Sequence, residues 1–166
     1  MEYFIGKTHC FSTNSKTAKH SVCKAILEKD YPEKLEGLEL SEGLPPYYGL
    51  VPSTDAPEKP ILMLFREPID RFISAASMNH GLNDIEESLA KLGEYPFDKQ
   101  VDYIIEGQTT VFKFPEQLEQ FCEAAGFPYP LEKINEATAG KKELTPEQLA
   151  TVEQFFADDI AFFNGL

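Results

Sequence analysis

The stretch Pro60-Ile61-Leu62-Met63-Leu64-Phe65-Arg66-Glu67-Pro68 decides the fold. Five apolar residues in unbroken succession between two prolines describe a strand covered on both faces, since a strand with one wet face alternates. Such a strand belongs in the middle of a parallel sheet, and parallel neighbours are joined by crossover helices. Working outward, Pro68 opens a helix over residues 69–78. On the N-terminal side residues 9–13 read as a short strand and residues 16–29 as a helix with Val22, Ala25 and Ile26 at helical spacing; Asn14-Ser15 supplies turn and cap residues between them. On the C-terminal side residues 83–92 and 98–106 read as helices, and residues 109–114 as a β-branched and aromatic strand; Pro115 opens a helix that stops near Gly126. Thr145-Pro146-Glu147-Gln148 is a capping-box pattern leading into an apolar stripe, Leu149, Val152, Phe155, Phe156, Ile160 and Phe163, whose spacing marks core packing. Residues 30–60 are proline-rich and form a long loop with one short strand near residues 47–51. Strands alternating with helices give an α/β fold, a small, mainly parallel sheet flanked by helices, in one domain over residues 1–166.

Composition narrows the partners. Hydrophobic residues at 42% and charged residues at 26% describe an ordinary globular chain. No apolar run reaches the roughly eighteen residues of a membrane span, and the first residues lack the basic-then-apolar pattern of an export signal, so the expected location is cytoplasmic. The three cysteines, Cys10, Cys23 and Cys122, have no C-x-x-C spacing, which argues against a disulfide framework or a zinc site and for buried, reduced thiols. A net charge of −13 argues against broad capture of nucleic acid or of an anionic membrane. Yet residues 1–27 hold Lys7, Lys16, Lys19 and Lys24 against Glu2 alone, a local +3 that leaves −16 for the rest. A positive island in an acidic chain fits either a local anion site or a solvated helix face.

Two segments carry the chemistry. Ser15-Lys16-Thr17-Ala18-Lys19-His20-Ser21 lies where the first parallel strand gives way to a helix, whose unpaired N–H groups and macrodipole favour phosphate. It offers hydroxyls, a small residue and lysines, but not the glycines of Walker A; a capped helix with surface lysines is the other reading. The second segment, Phe65-Arg66-Glu67-Pro68-Ile69-Asp70-Arg71-Phe72-Ile73-Ser74, contains both arginines of the chain. An arginine fork at a strand's carboxyl end and a serine in the following helix can converge on one anion. The alternative is that Arg66 pairs with a neighbouring carboxylate and Arg71 is an exposed helix residue. Ligands of open α/β sheets bind at the carboxyl ends of the strands, where both segments belong.

With those residues in view, the chain resembles the sulfotransferase superfamily. The first segment is similar to the donor-sulfate loop, roughly K-[TSV]-[GA]-x-[TS]-[TS], and nearest to the K-T-A-S-T-S form of glycosaminoglycan 2-O-sulfotransferase-like enzymes; Lys19 and His20 depart from it. The second resembles R-x-P-x-x-R-x-x-S, the family's 3′-phosphate signature. The likeness extends to residues 109–126 and, through Ile134-Asn135-Glu136-Ala137-Thr138, to residues 144–163. It implies a P-loop-NTPase-like sulfotransferase fold and a sulfuryl donor, 3′-phosphoadenosine 5′-phosphosulfate, with adenosine 3′,5′-bisphosphate as product. By the resemblance Lys16 contacts the transferred group and its bridging oxygen, while Ser15, Thr17, Ala18, Lys19, His20 and Ser21 surround the 5′-phosphosulfate. Arg66 and Ser74 hold the 3′-phosphate, Arg71 supports the motif or the adenine side, and Lys141 and Lys142 reach toward the 3′-phosphate.

Sulfuryl transfer also needs a base. His80 and His20 are the histidines near the two segments, and Glu36, Glu39 and Glu42 are alternatives. The implied acceptor is a hydroxyl or amine on a small molecule or carbohydrate, and no metal is implied. A binding protein on a trimmed donor fold competes with the enzyme. A nucleotide kinase is disfavoured by the missing Walker A glycines.

Overall fold

The computed structural model describes residues 2–12, 14, 17–35, 50, 53–55, 58–78, 84–133 and 142–166. Four strands form one sheet in chain order: β1 (Tyr3–Ile5), β2 (Cys10–Ser12), β3 (Ile61–Arg66) and β4 (Thr109–Phe114). β2, β3 and β4 run parallel, while β1 is an antiparallel edge joined to β2 by a hairpin in which the Gly6 N–H donates to the His9 carbonyl at 2.9 Å. Gly6 is required there by close approach, because a Cβ would stand 2.7 Å from the Asp30 carboxylate and 2.8 Å from the His9 carbonyl. The helices are α1 (Lys19–Asp30), α2 (Pro68–Ser77), α3 (Ile85–Leu89), α4 (Leu118–Ala125), α5 (Pro146–Phe155) and α6 (Ala157–Gly165).

β3 takes the central place that its apolar run requires, with period-two alternation sending its side chains to two different cores. Leu62 and Leu64 face α1 and α4, packing with Phe11, Val22, Ile26 and Phe121. Met63 and Phe65 face the other layer, where Tyr103 of a single 3₁₀ turn (Val101–Tyr103) and Phe162 and Phe163 of α6 cover them. A third cluster joins α2 to α5 through Phe72, Phe97, Val152 and Phe156, the last two from the C-terminal apolar stripe. The three cysteines are free and buried. Among the described residues no helix is long and apolar enough to cross a membrane, and no His, Cys, Asp and Glu group is arranged to hold a metal.

The departures from expectation have local causes. β1 was not anticipated; three residues give too little periodicity to read. The helix expected over residues 98–106 is instead the single 3₁₀ turn: the Asp159 carboxylate accepts from the N–H groups of Gln100 and Val101 at 2.8 and 3.0 Å, and the chain turns extended at Ile104. The last helical stretch divides at Phe156, and α6 then carries Asp159 to Gln100 and sets Phe162 against Phe65 in a tilted pair with ring centroids 5.2 Å apart. The strand expected near residues 47–51 lies outside the described residues apart from Leu50, which is buried.

The feature that shapes the carboxyl edge of the sheet is a mismatch of length. β4 follows β3 along its whole course, from Ile61 against Thr109 to Arg66 against Phe114. Among the described residues β2 pairs with it at Cys10–Ile61 and Phe11–Leu62 alone. Beyond Leu62, β3 needs other partners on its β2 side, since buried backbone groups in folded chains are almost always paired.

Candidate functional site

Side-chain amides take over where the β2 pairing ends. Asn14, buried in the turn after β2, donates from Nδ2 to the Leu64 carbonyl at 2.9 Å and to Gln100 Oε1 at 3.3 Å. Gln100 Oε1 also accepts from the Arg66 N–H at 3.0 Å, and its Nε2 donates to the Arg66 carbonyl at 2.8 Å. The amide of Gln100 thus pairs with one residue of β3 much as a neighbouring strand would. The turn after β2 and the carboxyl end of β3 are held side by side by this pair of amides.

The first turn then enters α1. Thr17 is buried and donates from its hydroxyl to the Asn14 carbonyl at 2.9 Å. Ala18 occupies the N-cap position with φ 58° and ψ 24°, a left-handed conformation, and provides no side-chain cap. The sequence pointed to Asn14 and Ser15 as cap residues; Asn14 instead points away into the sheet edge, and Ser15 lies outside the described residues together with Lys16. No acidic side chain stands in the first turn of α1, so the positive end of its dipole meets no carboxylate from its own turn. Lys19 is buried, with its ammonium 3.2 Å from the Tyr95 hydroxyl and 4.8 Å from that ring's centroid. His20 is half-buried and Ser21 buried one step further along the helix. Lys19 also lies near Cys23, whose thiol burial pushes up to about 12, leaving it protonated and inert. Beneath the turn a narrow cleft lined by Ser12, Asn14, Thr17, Lys19 and Leu64 has about 10 Å³ of free room, space for about one water.

The second turn is built differently. The Glu67 side chain caps α2, accepting from the N–H groups of Ile69 at 3.2 Å and Asp70 at 2.6 Å. Arg66 reaches over the first turn, donating from Nε to Asp70 Oδ2 at 2.9 Å and from Nη2 to the same oxygen, with its guanidinium 5.9 Å from the Phe114 ring centroid. Within α2, Asp70 and Ser74 are four residues apart and Ser77 is three further on, intervals that place them along one helix face; Arg66, at the end of β3, meets that face through Asp70. At its far end the Ser77 hydroxyl accepts from the Lys142 N–H at 2.9 Å, so the segment carrying Lys142 lies against the last turn of α2, beside Ser74. Lys141 and His80 lie outside the described residues, as do Glu36, Glu39 and Glu42.

The alternative of Arg71 as an exposed helix residue does not hold. It is 1% exposed, donating from Nη2 to Asp98 Oδ1 at 2.8 Å and to the Pro96 carbonyl at 3.3 Å, and from Nη1 to the Asp98 carbonyl at 2.6 Å. Asp98 also accepts from the Tyr103 phenol, whose pKa is raised by burial and by that bond. The surroundings of Arg71 fit a support that fixes the 95–103 segment, and hence Gln100, against α2.

Sequence reasoning singled out the turn residues but passed over Gln100, Asp98, Asp159 and Tyr95. A polar residue followed by Val101-Asp102 gives no sign of burial; the signal is tertiary. Comparison with protein-family models, with curated proteins and with solved structures finds no match to this chain.

Proposed function

We propose that the chain binds 3′-phosphoadenosine 5′-phosphosulfate across these two turns and transfers its sulfuryl group to a hydroxyl or amine acceptor. The observation that carries the reading is topological: the two segments that resemble sulfotransferase phosphate motifs leave adjacent parallel strands at one sheet edge, bound to each other through Asn14 and Gln100. Open α/β sheets take their ligands at such an edge.

In this reading the turn from Asn14 to Ser21, with Lys16, receives the 5′-phosphosulfate, and Arg66 at the end of β3 together with Ser74 on α2 receives the 3′-phosphate, with Lys142, and Lys141 by resemblance, at the far end of α2. An incoming phosphate competes with Asp70 for the Arg66 fork. The acceptor atom attacks sulfur as the bond from sulfur to the bridging oxygen breaks. That bond's electron pair leaves on the phosphate, where Lys16 and α1 offset the charge, and the acceptor's proton passes to a base. Within the described residues His20, on the first turn of α1, is the candidate for that base nearest the donor turn; His80 and the glutamates of the long loop are the others. Donor labelled in its sulfuryl group, offered with a panel of hydroxyl and amine acceptors, tests the reading. Labelled product is expected from wild type, and Lys16→Ala should retain adenosine 3′,5′-bisphosphate binding while losing transfer. Transfer by Lys16→Ala at the wild-type rate excludes that role for Lys16.

A second reading is a nucleotide-binding protein without turnover on a trimmed donor fold, since no side chain of the sequence stands out as the acceptor's base. Bisphosphate binding without transfer to any acceptor distinguishes it.

A further inference from the structure

Gln100 makes none of the donor contacts assigned above, yet its side chain touches both turns. It is fully buried, and its amide bonds account for Asn14 on one side and for both backbone groups of Arg66 on the other. Its own N–H is fixed by Asp159, a carboxylate with no exposure that is brought in by α6. Burial raises the pKa of Asp159 against the two N–H bonds that lower it, so this anchor works against the stability of the charged form. A well-packed apolar residue would fill the same volume without such a cost. A buried polar network that is fully satisfied fixes one geometry, which an apolar contact does not.

We infer that Gln100 is a positioning residue that holds the turn after β2 and the turn after β3 in register, so that anions at the two turns are bound as a pair. The inference rests on the donor-site reading and deepens it. The register matters because a ligand with two phosphates gains from the second only when both seats are held at the ligand's own spacing, as in any linked pair of sites.

The test compares adenosine 3′,5′-bisphosphate with adenosine 5′-monophosphate and adenosine 3′-monophosphate by titration calorimetry, in wild type, Gln100→Leu and Gln100→Glu. The bisphosphate is expected to bind wild type at least about 10-fold more tightly than either monophosphate, the usual scale of a charge-assisted contact. In Gln100→Leu that advantage should fall to about 3-fold or less, with each monophosphate changed by less than about 3-fold, because coupling and not either seat is lost. Gln100→Glu keeps the two acceptor bonds and loses the donor bond to Arg66, so it should lie between the two, and it supplies the answer if the leucine variant does not fold. An advantage unchanged in the folded variants overturns the positioning role, as does an equal weakening of all three ligands, the mark of a general structural defect. Absence of any bisphosphate advantage in wild type overturns the donor-site reading and the positioning role with it.

Discussion

The two turns at the carboxyl edge present their helices to solvent in opposite ways. At α2 the N-terminus is already occupied: the Glu67 side chain accepts from Ile69 and Asp70, and Asp70 adds a second carboxylate in the first turn. At α1 the cap is an alanine in a left-handed conformation, with no side-chain cap and no acid in the first turn. A helix start that closes on its own carboxylate has no need of an external anion. One that brings small side chains, hydroxyls, a lysine and a histidine to its positive end is suited to accept one. On the function proposed above, the two turns would bind anions by different means, backbone and dipole at α1 and the side chains of Arg66 and Ser74 beside α2.

The largest effect that sharpens this comparison comes from the two arginines of the second turn. Arg71→Met removes one partner of a buried pair and should destabilise the fold by about 3–5 kcal/mol, read from urea denaturation. Arg66→Ala removes a part-buried i,i+4 pair and the guanidinium's contact with Phe114, and should cost about 1 kcal/mol, well below the loss from Arg71→Met. Similar losses from both would show that Arg66 is also a structural residue and weaken its assignment to a ligand.

A smaller effect separates the caps. Glu67→Ala deletes two N-terminal bonds of α2 and should cost about 1 kcal/mol. Ala18→Gly relieves the left-handed alanine and should stabilise by about 0.5–1 kcal/mol. Destabilisation by Ala18→Gly would mean that the conformation at the start of α1 is not strained, and the contrast between the turns would lose its first term.

The smallest expected effect concerns pH. Burial holds the Asp159 carboxyl above its ordinary value of 3.8. A group whose pKa is raised on folding contributes stability that is fully present below its unfolded pKa and is lost as pH rises through the folded one. The stability of wild type relative to Asp159→Asn should therefore be greatest in acid below 3.8 and decline as pH rises toward neutrality, read from thermal unfolding at a series of pH values. A relative stability that grows with pH instead would mean that the N–H bonds from Gln100 and Val101 outweigh desolvation.

The same contrast explains what the sequence discloses. β3 and β4 are legible because their residues are apolar or β-branched in continuous runs, and the start of α5 because Thr145 and Gln148 form a capping box in which each side chain bonds the other's backbone. The second turn is legible because both arginines sit in it. The end of the β2 pairing is not, since it depends on where Asn14 and Gln100 meet β3. Asp98, Gln100 and Asp159 have the composition of surface residues and are held by partners far along the chain: Asp98 by Arg71 27 positions away, Gln100 by Asp159 59 away and by Asn14 86 away. Local spacing carries no trace of such bonds.

The central claim is that the two turns clasp opposite ends of one doubly phosphorylated adenosine. Thermal shift with adenosine 3′,5′-bisphosphate, AMP and ATP, on wild type and Arg66→Ala, tests it most directly. The bisphosphate should stabilise wild type the most, and that preference should disappear in Arg66→Ala while AMP acts equally on both proteins. A larger shift with ATP, or a bisphosphate preference that survives the loss of Arg66, would contradict the claim.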